Sequence, residues 1–163
     1  MPTTRVAYPR ATEARDAEGN LLFRSHAIWV LMDSNTRAMV LPGKSGVMVD
    51  GTLRGNELAV PGSLSIKGLS NTVSRAVRFS DLDRNGHMNN TRYLDWICDL
   101  LSARFHLEHP AKAFTICYMS EALEGQQLQL SWSENGVLRV DGDLMQTSVD
   151  TGHTRIFSAQ VEF

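Results

Sequence analysis

Asp81-Leu82-Asp83-Arg84-Asn85-Gly86-His87-Met88-Asn89-Asn90 is the densest run of functional side chains in the chain, and its flanks decide the fold. Before it, Val73, Val77 and Phe79 alternate with Ser74, Ala76, Arg78 and Ser80, as on a half-buried strand. After it, Leu94, Ile97, Cys98, Leu101 and Phe105 recur at helical spacing, with Asp95, Asp99 and Arg104 off the stripe. The spacing predicts one helix, with Asn89 or Asn90 as N-cap and Pro110 beyond its end. A helix with one strongly apolar face needs a sheet to lie on. Residues 113–121 form one candidate strand, and in 126–133 Leu128, Leu130 and Trp132 alternate with Gln127, Gln129 and Ser131. Glu134-Asn135-Gly136 carries the favoured hairpin pair Asn-Gly. Leu138, Val140 and Leu144 share a face of the next strand, and Phe157, Ala159, Val161 and Phe163 alternate to the C-terminus. Strand, polar loop, helix, then four antiparallel strands is an α+β order, met by one curled sheet wrapped around one long helix.

Upstream the text is different. Residues 3–15 and 20–33 are strand-like around the turn residues Glu18-Gly19-Asn20, and the second run is apolar on both faces at its end. That predicts a strand covered on two sides. From Pro42 to Ser70, six glycines, two prolines and no sustained period mark a connection. The reading is three parts: 1–41, a linker over 42–70, and 71–163.

Composition bounds the function. The chain has 163 residues, sixteen Lys+Arg and eighteen Asp+Glu, a formal net charge of −2, and 42% apolar residues. That is a globular composition with no basic run for nucleic acid. Cys98 and Cys117 lack the spacing of a zinc or redox pair, so no metal site is expected. Met1 to Arg10 lacks the apolar stretch of a signal peptide, and the run Ala27–Met32 is too short to span a membrane. The expected address is cytoplasmic, with no membrane partner.

Two chemistries compete for the central loop. Asp81-x-Asp83-x-Asn85-Gly86 matches the opening of a calcium loop, but the twelfth position, where a bidentate carboxylate is needed, holds Arg92. The other reading is an active-site loop feeding a helix N-terminus, whose unpaired N–H groups can hold an oxyanion. Asp83, Asn85 and His87 stand at alternate positions before that end, and Gly86 would let the backbone approach a ligand closely. His106-x-x-His109 has no apparent third ligand, and no nucleophile elbow or phosphate loop is present.

The run from Asp81 to Trp96 resembles the signature of acyl-acyl-carrier-protein thioesterases of the hotdog fold; simpler hotdog acyl-CoA thioesterases share its Asp-x-x-Gly-His-x-Asn-x-x-x-Tyr-Leu core. Trp29 to Asp33, Thr36-Arg37 and Leu41-Pro42 are also similar to the last strands of that family's first hotdog repeat. The resemblance implies a complete hotdog domain over 71–163, preceded by the terminal hairpin of a shortened repeat over 1–41. Catalytic roles carry over to Asp83, Asn85, His87 and Glu121, and substrate contacts to Asn89, Asn90 and Tyr93. Some relatives place a cysteine next to the glutamate; here that position is Ala122, which favours a carboxylate-activated water.

The implied activity is hydrolysis of acyl-acyl carrier protein to free fatty acid, without a cofactor, in fatty acid biosynthesis and lipid metabolism. The implied partner is the acyl carrier protein. Acyl-CoA hydrolysis and non-catalytic acyl binding are the alternatives. Thioester hydrolysis needs a base for water, a carbonyl polariser and a donor to the thiolate. Glu121 suits the first role, with Asn85 and His87 orienting water and substrate and Asp83 holding the imidazole, although spacing does not choose between Asp83 and Glu121 as base. The apolar residues Ile28, Trp29 and Val30 on a short hairpin predict a homodimer joined through sheet edges.

Overall fold

The computed structural model describes residues 3–47, 49, 64, 66–135 and 144–163. The chain divides into two compact units, Met1–Gly62 and Ser63–Phe163.

The second unit is built on five antiparallel strands. In chain order these are β5 (Asn71–Ala76), β6 (Ala113–Tyr118), β7 (Gln127–Asn135), β8 (Leu144–Asp150) and β9 (Arg155–Glu162). In space the order is β5-β7-β8-β9-β6. Register explains the core: Leu130 lies opposite Val149, and Val149 opposite Phe157, so three fully buried side chains form one row across the middle of the sheet. Alternate residues in the same strands are small or polar, and Ser131, Ser148 and Ser158 form a neighbouring row. The alternation read in Leu128–Trp132 and Phe157–Phe163 therefore sets which face meets the core: Leu128 and Leu130 are fully buried, and Trp132 packs at the core margin. Leu138 and Val140 lie outside the described residues, as does Gly136.

Two expectations for this unit need correction. The apolar stripe from Leu94 to Phe105 does not run through a single helix. Helix α2 (Asn90–Cys98) closes with Leu100 N–H on the Ile97 carbonyl, and Ser102 starts α3 (Ala103–Glu108) by accepting the Phe105 N–H. The side chains α2 buries are Tyr93, Trp96 and Ile97, while Cys98 is exposed. The break leaves His106 Nε2 3.0 Å from the Cys98 carbonyl, at the negative end of α2, and Phe105 edge-on to Phe163 at 5.0 Å. Likewise, of Val73, Val77 and Phe79 only Val77 is buried. Val73 is on a strand at the sheet edge, and Phe79 stands in the 3-10 turn Phe79–Asp81, where strand alternation has ended.

The first unit contains β1 (Tyr8–Arg15) and β2 (Leu21–Trp29), paired from Tyr8↔Trp29 to Arg15↔Leu21. Asp16 shapes the turn by accepting the Asn20 N–H, and Gly19 takes φ 89°, close to the expected turn. The long apolar run does not continue as one strand. It stops at Trp29, and a short pair follows, β3 (Leu31–Met32) with β4 (Met39–Val40). A one-turn helix, α1 (Pro42–Ser45), ends on Gly46 in the left-handed conformation. Tyr8 is buried and its hydroxyl reaches Ser45 Oγ and the Val47 carbonyl. The two-sided cover expected for β2 is absent among the described residues: Leu22, Phe23 and Trp29 are all more than half exposed. A two-stranded ribbon brings no second layer to its own apolar side chains.

Candidate active site

The central loop is a tight hairpin. Leu82 pairs with Met88, Asp83 N–H donates to the His87 carbonyl at 2.8 Å, and Gly86 N–H returns to the Asp83 carbonyl at 3.1 Å. Three residues, Arg84-Asn85-Gly86, turn the chain, and Gly86 holds φ 81°. A Cβ at Gly86 would meet nothing within 4 Å, so the glycine serves the left-handed backbone rather than a close approach.

Sheet-like bonds fasten this hairpin to the segment beyond β6. His87 pairs with Leu123, and Met88 N–H donates to the Ala122 carbonyl at 2.8 Å. Met88 and Ala122 are both buried, so the seam is closed by apolar contact as well as by hydrogen bonds. The same segment is tied to the sheet, because Val77 N–H donates to the Gln126 carbonyl and Gly125 N–H to the Val77 carbonyl. The Gln126 side chain accepts the Leu123 N–H at 2.8 Å.

The consequence is a meeting of distant residues. His87 Nε2 lies 3.3 Å from Glu121 Oε2, with the imidazole largely covered and the carboxylate half-exposed. Asp83 is occupied differently from the expectation that it steadies the imidazole. Its carboxylate accepts the Asn85 N–H at 2.8 Å and the Asn85 amide at 3.3 Å. The Asn85 N–H bond, aided by the side-chain amide, the His87 N–H and the His87 ring, holds the Asp83 carboxyl below its ordinary pKa against the opposing effect of burial. Asp83 thus sets the shape of the turn, and the carboxylate at the imidazole is Glu121.

Asn89 is the N-cap of α2. Its side-chain oxygen accepts both the N–H and the hydroxyl of Thr91, at 3.0 and 2.9 Å, and its carbonyl accepts the Arg92 N–H. Asn89 N–H itself donates to the Asp81 carbonyl, which roots the helix start in the loop. With Thr91 and Arg92 engaged, the first-turn donor these bonds leave for a ligand is the Asn90 N–H. Tyr93 is only 2% exposed and stacks on Phe157 at 4.8 Å, and burial pushes its hydroxyl up to about 12. It is a core side chain of α2, not one presented to solvent. Sequence reading gave Tyr118 no role, yet this residue of β6 is tilted against Phe157 and its hydroxyl donates to the Asn90 carbonyl.

Among the described residues no group of three or more His, Cys, Asp and Glu side chains is placed to hold a metal ion, and His106 and His109 pack around Phe105 instead. Cys98 and Cys117 are free thiols. No helix among the described residues is long and apolar enough to cross a membrane.

Residues 67–160 match the sequence model of the acyl-ACP thioesterase C-terminal domain. Over 120 residues, 68% of the chain, there is 28% identity to a chloroplastic dodecanoyl-[acyl-carrier-protein] hydrolase of Cinnamomum camphora. The chain spans 31% of that relative's length. In structure it is similar to a 12:0-ACP thioesterase from Umbellularia californica (TM-score 0.77, 21% identity, 98% of this chain and 62% of that one). A comparable likeness joins it to an acyl-ACP thioesterase from Bacteroides thetaiotaomicron (TM-score 0.73, 21% identity, 99% of this chain and 64% of that one). The architecture shared with these structures is the hotdog fold expected from the sequence.

Proposed function

The chain belongs to the acyl-ACP thioesterase family, and we propose that it hydrolyses fatty acyl thioesters of acyl carrier protein at the His87–Glu121 pair. The observation that carries this reading is the 3.3 Å contact between two residues 34 positions apart, at the start of a helix, in a family whose named members release acyl chains from a carrier protein.

In this reading Glu121 is the general base. It takes a proton from water as the oxygen attacks the thioester carbonyl carbon, and His87 holds that carboxylate in place. We assign the base to Glu121 because its carboxylate lies against the His87 ring, whereas that of Asp83 is turned onto Asn85 within the loop. Asn85 orients the water, and the Asn90 N–H faces the developing oxyanion at the positive end of α2. Collapse of the intermediate breaks the C–S bond, and the proton passes to the departing thiolate, leaving free fatty acid and carrier thiol. Asn89 shapes the helix start that binds substrate, and Tyr93 supports it from below. No metal or cofactor enters these steps.

The same reading makes residues 1–41 the terminal hairpin of a preceding hotdog repeat and 71–163 a complete one, joined by 42–70. Similarity to the two thioesterase structures along nearly the whole chain supports this. A homodimer through the exposed apolar hairpin belongs to it too, and sedimentation as a monomer at micromolar concentration would remove that part. Free thiols fit the cytoplasmic address we assign.

The test is thiol release from carrier-protein and CoA thioesters of C8 to C18 chains. Turnover on carrier-protein substrates that is lost in His87→Ala is the expected result. Preference for CoA would move the protein to the simpler thioesterases. Binding without turnover by the folded protein would leave it an acyl-binding domain.

A further inference from the structure

Glu121 stands between two fastenings. On its C-terminal side, Ala122 and Leu123 bond to the 82–88 hairpin that carries His87. On its N-terminal side, Met119 and Ser120 both donate to the Ile156 carbonyl, at 2.9 and 3.2 Å, which ties the segment to β9 but not to the helix or the loop. The link to the helix is Tyr118. Its hydroxyl donates to the Asn90 carbonyl in the first turn of α2, three residues beyond His87. Its ring is edge-on to Tyr93 at 6.1 Å and tilted on Phe157 at 5.3 Å, so the hydroxyl is aimed by two buried aromatic rings. Tyr118 therefore closes a ring of contacts that runs from His87 through Asn90 and Tyr118 to Glu121 and back.

We propose that Tyr118 is a positioning residue for the His87–Glu121 pair, setting the carboxylate against the imidazole by tying the end of β6 to the start of α2. This role rests on the reaction assigned above. A single 3.3 Å bond from a half-exposed phenol contributes little to global stability, so its value lies in placement. A phenol is protonated at neutral pH, and burial raises the Tyr118 pKa further, so the hydroxyl is a donor.

Tyr118→Phe keeps the ring and removes only the donor. The ring 15N and 13C resonances of His87 are to be compared in the wild-type chain, Tyr118→Phe, Glu121→Gln and the double variant. Glu121→Gln is expected to move them, Tyr118→Phe to move them part of the way in the same direction, and the double variant to match Glu121→Gln alone. In turnover, Tyr118→Phe should lower kcat about three- to tenfold with KM little changed, through misplacement of the base. His87 resonances that stay at their wild-type positions in Tyr118→Phe while Glu121→Gln shifts them would overturn the proposal. So would resonances that ignore Glu121→Gln altogether. Absent thioester turnover with the resonance pattern intact would overturn the assigned reaction, and with it the catalytic meaning of the placement, but not the coupling of Tyr118 to the pair.

Discussion

Two hairpins of this chain use the same antiparallel pairing and are anchored in opposite ways. The β1–β2 ribbon is paired over its whole length, yet Leu22, Phe23 and Trp29 on it are 64%, 55% and 54% exposed. The 82–88 hairpin closes with a single bridge, but its Met88 is 4% exposed and lies on Ala122, which is fully buried. A backbone hydrogen bond exchanged with water contributes a net of about 1 kcal/mol, whereas burying a large apolar side chain contributes about 1.5–3 kcal/mol. Pairing gives the long ribbon its register, and burial gives the short loop its place. The difference bears on the proposed reaction, because a pair drawn from residues 87 and 121 requires a fixed loop.

The largest test of this contrast is Phe157→Ala. It removes a fully buried ring on which Tyr93 stacks, and should cost about 3–5 kcal/mol in urea unfolding. A loss below about 1 kcal/mol would mean that the row under the site is not the anchor. Next comes Gly86→Ala, which forces a side chain into φ 81° and should cost about 1–2 kcal/mol while shifting the His87 amide resonance. Asn89→Ala, which removes the helix cap, is expected to cost about 1 kcal/mol by the same denaturation. On the other hairpin, Leu22→Ser should change stability by less than about 0.5 kcal/mol, and under the proposed homodimer it should weaken self-association in sedimentation. A destabilisation as large as that of Phe157→Ala would erase the contrast.

The smallest effect is in pH. The Asp83 carboxyl lies below its ordinary value of 3.8, so the folded loop favours the ionised form. Its contribution is fully present above the unfolded pKa, and is lost as pH falls through the lower folded value. Asp83→Asn should therefore flatten the acid end of the stability profile, below about pH 4, and leave neutral pH unchanged in slope. An acid limb identical in wild type and variant would show that the turn does not depend on that carboxylate.

Much of the second unit was legible because period-two alternation and a loop dense in Asp, Asn, Gly and His are local signals. Leu128, Leu130, Phe157 and Val161 could be placed from their neighbours alone. The helix was over-extended because Leu101 and Phe105 keep the spacing of the stripe across a turn that Ser102 restarts. Ser102, a capping residue three positions before Phe105, was the available signal. The cover expected over β2 was misread because an apolar run reports what a strand would bury, not whether a layer exists to bury it. At the site, family resemblance pointed to His87 and Glu121 separately, with Asp83 expected at the imidazole; the 3.3 Å contact between His87 and Glu121 is a tertiary relation that no spacing rule gives. Tyr118 was missed because its part depends on where β6 ends against α2, a tertiary relation with no local pattern.

The central claim is that His87 and Glu121 act as one unit in thioester hydrolysis. The direct measurement is a double-mutant cycle on kcat for thiol release from acyl carrier protein thioesters, using His87→Ala, Glu121→Ala and the pair. Each single variant should lose at least about tenfold, consistent with general acid–base catalysis, and the double variant should fall little below the worse single one. Losses that multiply would contradict the claim, since two groups acting independently do not share a transition-state interaction.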